Sequence, residues 1–516
     1  MRIGRHIGSL VRSLHHALAL TGCGASLALC PGTTAAAATD GKPPNILFVI
    51  FDDWGGSTHT GAAGNTWIKT PHFDRVAHEG ILFKNAFTSN PKCSPSRATI
   101  LTGRNTWQLK EAVSHNGMFP AGFAVYPDLL ENAGYSIGLT GKGWGPGDFK
   151  SLTGWTRNPA GPEFADRKRN PETKGINKND YSANFEDFLR QRAPGKPFCF
   201  WMGFTEPHRS YERGSGLRLG KKLSDVVVPA YLPDTETVRS DLLDYAIEVE
   251  SGDAQLGRAL ALLEAAGELE NTVVVVTSDH GMPFPFVKGQ IHEDAFHIPL
   301  AIRWGATIAH GRVVEDFVNV RDLAPTYLEL AGLPPHPQMT GRSLVRILRS
   351  PKSGWIEDRN TMLVGMERHS LGLPRDLGYP VRALRTKDYL YVHNFFPDRW
   401  PAGTPEADFG NVDPGPTKEL IKQLGGYYYE LSFGKRAPDE LYRLSDDPEN
   451  VRNLAHDLAF VPVMEELRTR MMKMLRDEED PRALGHGDVF DTYRYVGPRT
   501  KGYETWLAKQ PGLPVK

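Results

Sequence analysis

The chain has 516 residues, of which 40% are hydrophobic and 23% are charged, and its formal net charge is −1. This balance is typical of a globular enzyme and excludes disordered and strongly basic proteins. No lysine- or arginine-rich cluster stands out, so we expect no nucleic-acid partner. The chain is longer than a single hydrophobic core usually supports, which favours two domains.

The first 38 residues have the composition of an export signal. Residues 1–16 carry three arginines and no acidic residue, residues 17–29 are small and apolar, and residues 35–38 offer a small-residue cleavage site. We therefore predict a signal peptide at residues 1–38 and a periplasmic or secreted protein. Cys23 also fits a bacterial lipoprotein site, but the apolar run before it is short. Membrane attachment is expected only if Cys23 is lipidated.

Removal of this leader leaves two cysteines in the mature chain, Cys93 and Cys199. Cys199 lies inside the apolar run 198–204 and is most simply a buried core residue. An exported enzyme of this size with no expected disulfide is not cross-linked for stability. Cys93 therefore needs another explanation.

Four apolar, β-rich runs end abruptly in polar residues, as expected for strands buried on both faces. They are 45–51 before Asp52 and Asp53, 135–140 before Gly141 and Lys142, 198–204 before Glu206 and His208, and 272–277 before Asp279 and His280. A helical pattern covers residues 238–263. Strands that alternate with helices predict an α/β fold with a large, mostly parallel sheet flanked by helices. Ligands bind beyond the carboxyl ends of such strands, so we expect the polar residues to meet there.

The composition changes after about residue 343. Proline and glycine become frequent, short β-like runs cover 379–386 and 389–395, and a helix-like stretch covers 461–476. We predict a catalytic domain at 40–345 and a smaller C-terminal α+β domain with an antiparallel sheet at 346–516.

The predicted strand ends bring several carboxylates together. Asp52, Asp53 and Asp279 would raise one another's pKa if left unpaired. A hard divalent cation relieves this repulsion, and carboxylate oxygens are the ligands that Ca²⁺ or Mg²⁺ prefers. The imidazole of His280 is less typical of calcium, so the identity of the metal stays open. The alternative is that Asp52 and Asp53 are turn or helix-cap residues.

The segment that starts at Cys93 reads Cys-Ser-Pro-Ser-Arg-Ala-Thr-Ile-Leu-Thr-Gly-Arg. It places Cys93 at a helix N-terminus, where the positive end of the dipole stabilises anions. The guanidinium of Arg97 suits a tetrahedral oxyanion. On these grounds Cys93 is a thiolate nucleophile, part of an oxyanion site, or a structural cysteine.

Cys-x-Pro-Ser-Arg followed by Leu-Thr-Gly-Arg resembles the sulfatase signature, in which the cysteine is oxidised to formylglycine. The resemblance runs from residue 45 to about residue 455 and includes the pattern at 440–454. Within the family the chain is most similar to the heparan N-sulfatase branch. The resemblance implies an alkaline-phosphatase-like fold, a sulfated sugar or polysaccharide as substrate, and a formylglycine-generating maturation enzyme as partner.

The resemblance also assigns roles. Ca²⁺ or Mg²⁺ would be held by Asp52, Asp53, Asp279, His280 and the formylglycine at position 93. Arg97 would orient the aldehyde hydrate, Lys142 and Lys288 would bind sulfate oxygens, and His208 would protonate the departing atom. One hydroxyl of the hydrate would attack sulfur, and deprotonation of the other would expel sulfate. Candidate sugar contacts are His297, His369 and Arg382, with packing or solvated surface charge as the alternative.

Two positions depart from the family pattern. His280 stands where asparagine is common, and it preserves a ligand. Trp144 stands where the family commonly has a histidine, and an indole cannot act as a base. His115 could replace that histidine, but a surface or loop position is favoured. The competing functions are a phosphate or phosphonate ester hydrolase, an O-sulfated marine-polysaccharide sulfatase, and a non-catalytic glycan binder.

Overall fold

The strands of the fold begin and end close to the apolar runs of the sequence. The computed structural model describes residues 42–56, 58–151 and 153–510, and the predicted signal peptide with Cys23 lies outside them. In these ranges the strands are β1 Asn45–Phe51, β2 Ile81–Phe83, β3 Ala86–Phe87, β4 Ser136–Gly141, β5 Phe198–Gly203, β6 Thr272–Ser278, β7 His297–Ile298, β8 Leu300–Arg303, β9 Arg312–Val314, β10 Val318–Asn319, β11 Thr361–Met366, β12 Val381–Thr386, β13 Tyr389–Asn394 and β14 Asp439–Arg443.

The helices connect these strands and cover the sheets. They are α1 Pro71–His78, α2 Cys93–Thr102, α3 Tyr126–Asn132, α4 Tyr181–Gln191, α5 Ser215–Arg218, α6 Glu236–Ala265, α7 Glu293–Phe296, α8 Leu323–Leu330, α9 Val345–Arg349, α10 Pro416–Leu424, α11 Gly426–Phe433, α12 Val461–Asp477, α13 Val489–Thr492 and α14 Tyr503–Leu507. The long helix α6 extends two residues beyond each end of its predicted range. It begins there because Thr235 caps it, with a side-chain oxygen that accepts from the N–H of Val238.

The large sheet has seven strands in the order β4-β5-β1-β6-β8-β2-β9. Strands β4, β5, β1 and β6 are parallel neighbours, and β8 runs antiparallel to β6 and β2. The predicted α/β fold with a mostly parallel sheet is confirmed.

The alternation along β1 explains why its sequence is apolar throughout. Leu47, Val49 and Phe51 join one buried cluster together with residues of α4 and α6. Ile46, Phe48 and Ile50 join a second cluster together with residues of α3 and α8. Because successive side chains point to opposite faces, helices cover both faces of the strand.

Strands β10, β3 and β7 form a short three-stranded sheet, and a separate four-stranded sheet is antiparallel, in the order β11-β12-β13-β14. Helix α12 packs on it through Leu467, Met471 and Leu475, which share a cluster with Tyr391 of β13. The predicted antiparallel sheet after residue 345 is confirmed. The seven-stranded and four-stranded sheets belong to one compact unit of the chain. The predicted boundary between two domains at residue 345 therefore stays a prediction. Among the described residues, no helix is both long and apolar enough to cross a membrane.

Candidate active site

The carboxyl ends of the parallel strands are tied together by backbone hydrogen bonds that continue past the sheet. The N–H of Asp52 donates to Glu206 O at 3.0 Å, and the N–H of Asp279 donates to Phe51 O at 3.1 Å. The N–H of Lys142 donates to Gly203 O at 2.8 Å. The polar residues predicted at the ends of β1, β4, β5 and β6 therefore lie at one edge of the sheet, as expected.

Helix α2 brings Cys93 to this edge. Every residue of the helix is buried, and the hydroxyl of Ser96 donates to Asp279 O at 2.7 Å, which ties the first turn to the end of β6. The helix ends at Gly103, whose φ of 64° is left-handed and favours glycine. Cys93 Sγ lies 3.3 Å from His280 Nε2 and 4.0 Å from Asp53 Oδ1.

The environment of Cys93 disfavours an ionised thiol. Burial, followed by the charge of Asp52, raises the pKa of the Cys93 thiol to about 12. An unmodified Cys93 is therefore protonated near neutral pH. Since the thiolate is the nucleophilic form, this weakens the thiolate alternative.

Four side chains form a compact donor cluster. Asp52, Asp53, Cys93 and His280 each offer one ligand atom, and these atoms lie within 4.8 Å of one another. His280 Nδ1 lies 3.0 Å from Gly281 O. Because a carbonyl only accepts, Nδ1 carries a proton, and in the neutral ring Nε2 presents its lone pair to the cluster.

This cluster fits a divalent cation. Burial lowers the pKa of His280 and favours the neutral ring, yet Nε2 lies 3.1 Å from Asp53 Oδ1. Two electron-rich atoms that face each other at this distance are stabilised by a cation between them. Asp52 Oδ1 is also buried without a hydrogen-bond partner among the described residues.

Asp279 lies beside these four donors. Its Oδ2 accepts from Arg97 Nε at 2.9 Å, and its Oδ1 accepts from the N–H of Asp53 at 3.1 Å. Arg97 is fully buried, and its Nη1 donates to Lys142 O at 2.6 Å. Its Nη2 makes no hydrogen bond within the described part of the chain and lies 3.6 Å from Asp52 Oδ1, too far for a hydrogen bond. Arg97 therefore joins the helix to two strand ends and keeps one donor unused at the site.

Two lysines add positive charge. Lys142 Nζ lies 2.6 Å from Asp52 Oδ2, and Lys288 Nζ lies 2.6 Å from Asp53 Oδ2 and 2.7 Å from Asp413 Oδ2. Both lysines lie where the sequence analysis expected cations that bind an oxyanion.

Asp413 is a site residue that sequence reasoning missed. Burial alone would raise the pKa of Asp413, but Lys288 and Lys92 hold it well below its usual range. It follows β13 in a proline- and glycine-rich loop and belongs to no motif. The sequence offers only a turn signal there, so the pairing with Lys288 could not be read from it.

His208 presents one nitrogen to the site. Its Nδ1 lies 2.5 Å from Arg209 O, so Nδ1 donates to that carbonyl. Its Nε2 lies 4.0 Å from Asp53 Oδ2. Nε2 is therefore the nitrogen that can exchange a proton with a bound ligand.

Two cavities meet at these residues. The reaction cavity, of about 560 Å³, is lined by Asp52, Cys93, His115, Lys142 and His208 among others. The neighbouring cavity, of about 680 Å³, shares His115 and includes the predicted sugar contact His369. His115 was expected at a surface or loop position. It does lie in a turn, where it is partly buried, and it also lines both cavities.

Trp144 has a packing role. Its Nε1 donates to Ser94 O at 3.0 Å, and its ring packs edge-on against Phe119 at 5.1 Å between centroids. The indole is buried and supports the first turn of α2. It adds no base to the site, in agreement with its chemistry.

The structure does not bring His297 to either cavity. Its Nε2 lies 2.6 Å from Lys84 O, and its Nδ1 lies 3.0 Å from Glu293 Oε1. Both ring nitrogens are therefore engaged within the protein, and the residue packs against Phe87.

Arg382 is likewise remote from the cavities. It is fully buried, and its guanidinium donates to both carboxylate oxygens of Asp480 at 2.7 and 3.0 Å and to Glu367 at 2.8 Å. Its contacts are those of a structural ion-pair network rather than of a sugar-binding residue.

Arg382→Met is therefore expected to lower stability without changing substrate affinity. The change leaves Asp480 and Glu367 without their partner in the core, which costs about 3–5 kcal/mol. Urea unfolding measures this loss, and Arg346→Met, on a side chain that is 81% exposed, is the control. An unchanged free energy of unfolding together with a raised KM would instead assign Arg382 to the substrate.

Together the fold and these side chains define an α/β protein with a buried, cation-rich site for a tetrahedral oxyanion. The sulfatase family model matches residues 44–333. A model described as the C-terminal part of N-sulphoglucosamine sulphohydrolase matches residues 279–396. The chain belongs to the sulfatase family, and it is a sulfuric ester hydrolase, as the motif at Cys93 predicted.

Individual relatives agree with this assignment. The chain is 30% identical to human N-sulphoglucosamine sulphohydrolase, over 85% of this chain and 91% of that protein. It is 26% identical to an ulvan-active sulfatase of Formosa agariphila, over 85% and 81% of the two chains. A solved structure in complex with its substrate D-glucosamine-2-N,6-O-disulfate has a TM-score of 0.58 at 20% identity, over 85% of this chain and 99% of that one. This last likeness supports the fold.

Proposed function

We propose that this sulfatase removes sulfate from sulfated sugars, with N-sulfated glucosamine as the leading substrate. The observation that carries the proposal is Cys93 at the start of α2, buried beside a donor cluster and three cationic side chains. The substrate is supported by the 30% identity to human N-sulphoglucosamine sulphohydrolase. The similarity to an ulvan-active sulfatase favours an O-sulfated polysaccharide as the second candidate.

The proposal includes two groups that the amino-acid chain does not carry. Ca²⁺, or Mg²⁺ in its place, would be held by Asp52, Asp53, His280 and the side chain at position 93, and would supply positive charge to a bound oxyanion. Formylglycine, made from Cys93 by a maturation enzyme, would supply a hydrated aldehyde in place of the protonated thiol.

The chain's own residues bind and orient the sulfate. Lys142 and Lys288 are directed at this edge of the sheet, and each shares its charge with a carboxylate. Arg97 Nη2 makes no hydrogen bond among the described residues and lies 3.6 Å from Asp52 Oδ1. A buried donor left unpaired is costly, so an anionic oxygen at this position is stabilised.

His208 completes the reaction as the proton donor. The oxygen or nitrogen that leaves the sulfur gains negative charge, and a proton from His208 Nε2 neutralises it. The bond from Nδ1 to Arg209 O fixes the ring orientation while Nε2 exchanges its proton.

The test is sulfate release by the mature protein. The chain is co-expressed with a formylglycine-generating enzyme, and conversion of Cys93 is verified by peptide mass. The panel holds N-sulfated glucosamine, 6-O-sulfated glucosamine, an O-sulfated galactose polysaccharide and a phosphate monoester. Release from the N-sulfated sugar supports the leading substrate, and release only from an O-sulfated glycan replaces it with the second candidate. Turnover of the phosphate ester alone would overturn the proposal.

His208→Gln is expected to lower kcat by roughly 10²- to 10⁴-fold, the usual contribution of a general acid. The loss should be larger for a sugar leaving group than for 4-nitrophenol, which leaves without a proton. The ratio of kcat between sugar sulfate and 4-nitrophenyl sulfate measures this difference. His310→Gln, a histidine outside both cavities, is the control. An equal loss on both substrates would contradict the role of proton donor.

We also propose export through the signal at residues 1–38. Mass analysis of the mature N-terminus tests this, because cleavage after residue 38 and acylation at Cys23 give different products. A retained leader would overturn it.

A further inference from the structure

The neighbouring cavity has a buried inner end and a more exposed rim. Its inner end is the buried part, with Lys92, His115 and His369, and His115 also lines the reaction cavity. Its rim contains residues of the C-terminal segment, among them Lys501, Trp506 and Lys509. His369 was predicted as a sugar contact, but no motif of the chain assigns a role to Lys92.

Lys92 is a buried lysine that forms no ion pair within 4 Å among the described residues, although its charge acts on nearby Asp413. It caps α2 immediately before Cys93, makes no side-chain capping bond and is 4% exposed. The nearby carboxylates, Asp413 and Asp53, are bound by Lys288 at 2.7 and 2.6 Å. A buried ammonium without its own partner is costly unless a ligand supplies the negative charge.

His369 is a second buried polar side chain with a polar atom that lacks a partner among the described residues. It follows strand β11 and is 4% exposed. Within the described part of the chain, its Nδ1 has no hydrogen-bond partner. Its ring meets that of His115 edge-on, 5.8 Å between centroids. Two polar side chains, each more than nine-tenths buried, therefore line one wall of an open cavity.

The acidic groups of the cavity do not compensate this wall. Asp413 is bound to Lys288, and Asp408 is bound by Lys418 and Lys422. Glu406 is exposed on the lining of the cavity. The inner end therefore presents the ammonium of Lys92 without a directly paired carboxylate, beside an imidazole nitrogen of His369 without a hydrogen-bond partner among the described residues.

We propose that Lys92, together with His369, binds a second anionic group of the substrate. That group is a carboxylate or a second sulfate, carried on the sugar beside the sulfate that is removed. The proposal rests on the proposed function, because the sulfate at residue 93 sets the position of the sugar. Since Lys92 directly precedes Cys93 and His115 lines both cavities, one doubly charged sugar reaches both sites.

The test compares a singly charged sugar with two ligands that carry a second anionic group. Calorimetry measures Kd in a Cys93→Ala background, which binds without turnover. The ligands are D-glucosamine 2-N-sulfate, D-glucosamine 2-N,6-O-disulfate, and a disaccharide of a uronic acid with N-sulfated glucosamine. The disulfate and the uronate disaccharide separate a second sulfate from a carboxylate.

One of the two doubly charged ligands is expected to bind roughly tenfold more tightly than the singly charged sugar, the ratio expected for one charged hydrogen bond. Lys92→Gln should remove this preference and leave the singly charged sugar unchanged. Lys352→Gln, on an exposed lysine outside both cavities, should keep it. His369→Ala should weaken the preference severalfold. This second variant still tests the subsite if Lys92→Gln does not fold.

The outcomes separate the subsite from the proposed function. Equal binding of all three ligands, or a preference that survives both Lys92→Gln and His369→Ala, overturns the subsite. Sulfate release from the singly charged sugar by the mature enzyme would then leave the proposed function standing. If none of the three sugars binds, both the subsite and N-sulfated glucosamine as the leading substrate are overturned.

Discussion

Cys93→Ala is expected to abolish sulfate release, while Cys199→Ala leaves it unchanged. Removing the group that becomes the nucleophile should cost roughly 10⁴-fold or more in kcat, as in other enzymes with covalent catalysis. Cys93 contacts His280 and lines the reaction cavity. Cys199 is equally buried but lies in β5 between Ile46 and Ile137 of the neighbouring strands.

The pair of variants separates chemistry from packing. Truncation of a buried cysteine costs about 1 kcal/mol in either position, which a stable domain tolerates. Initial rates of sulfate release, measured beside a thermal melt, therefore distinguish the two effects. Similar activity of Cys93→Ala and the parent protein would refute a reaction at residue 93. An inactive but fully folded Cys199→Ala would show that activity depends on core packing.

Much of the site could be predicted because it lies at strand ends. The apolar runs of β1 and β6 stop at polar residues, and parallel strands place their carboxyl ends at one edge, so Asp52, Asp53, Asp279 and His280 had to lie close together. The motif at Cys93 added the helix that faces them. These parts of the site depend on patterns within short stretches of the chain, which can be recognised in the sequence.

The rest depends on contacts between distant segments. Asp413 reaches Lys288 across 125 positions of the chain, and no periodicity marks it. Arg382 looked like a sugar contact because it is a charged residue near a predicted pocket. Its pairing with Asp480, 98 positions away, is visible only in the fold. His115 was named as a candidate but ranked behind a surface or loop position for the same reason, since its loop carries no motif.

The backbone conformation of single site residues could not be predicted from the sequence either. Asp53 has a φ of 75°, a left-handed conformation that aspartate tolerates better than most residues. This turn follows β1, where the N–H of Asp53 meets Asp279 Oδ1. A sequence pattern gives the residue type at this position but not the turn that aims its side chain.

Removal of divalent metal is expected to lower the melting temperature of the mature protein. The carboxylates of Asp52 and Asp53 and the lone pair of His280 Nε2 face one another inside the protein, so a bound cation stabilises the folded state alone. At a free Ca²⁺ concentration of 100 times Kd this amounts to about 2.7 kcal/mol. For a chain of this size we expect a shift of about 3–5 °C, since the shift per kcal/mol falls with size.

Asp53→Asn should remove this response, because it takes one charged ligand from the cluster while keeping the shape of the side chain. Asp234→Asn, on a carboxylate that is 59% exposed and paired with Arg239, should retain the full shift. Melting curves with chelator, Ca²⁺ and Mg²⁺ measure both variants and rank the two ions. An equal shift in Asp53→Asn and in the parent protein would place the cation elsewhere. No shift in the parent protein would mean that Lys142 and Lys288, which bind Asp52 and Asp53 at 2.6 Å, already neutralise the cluster.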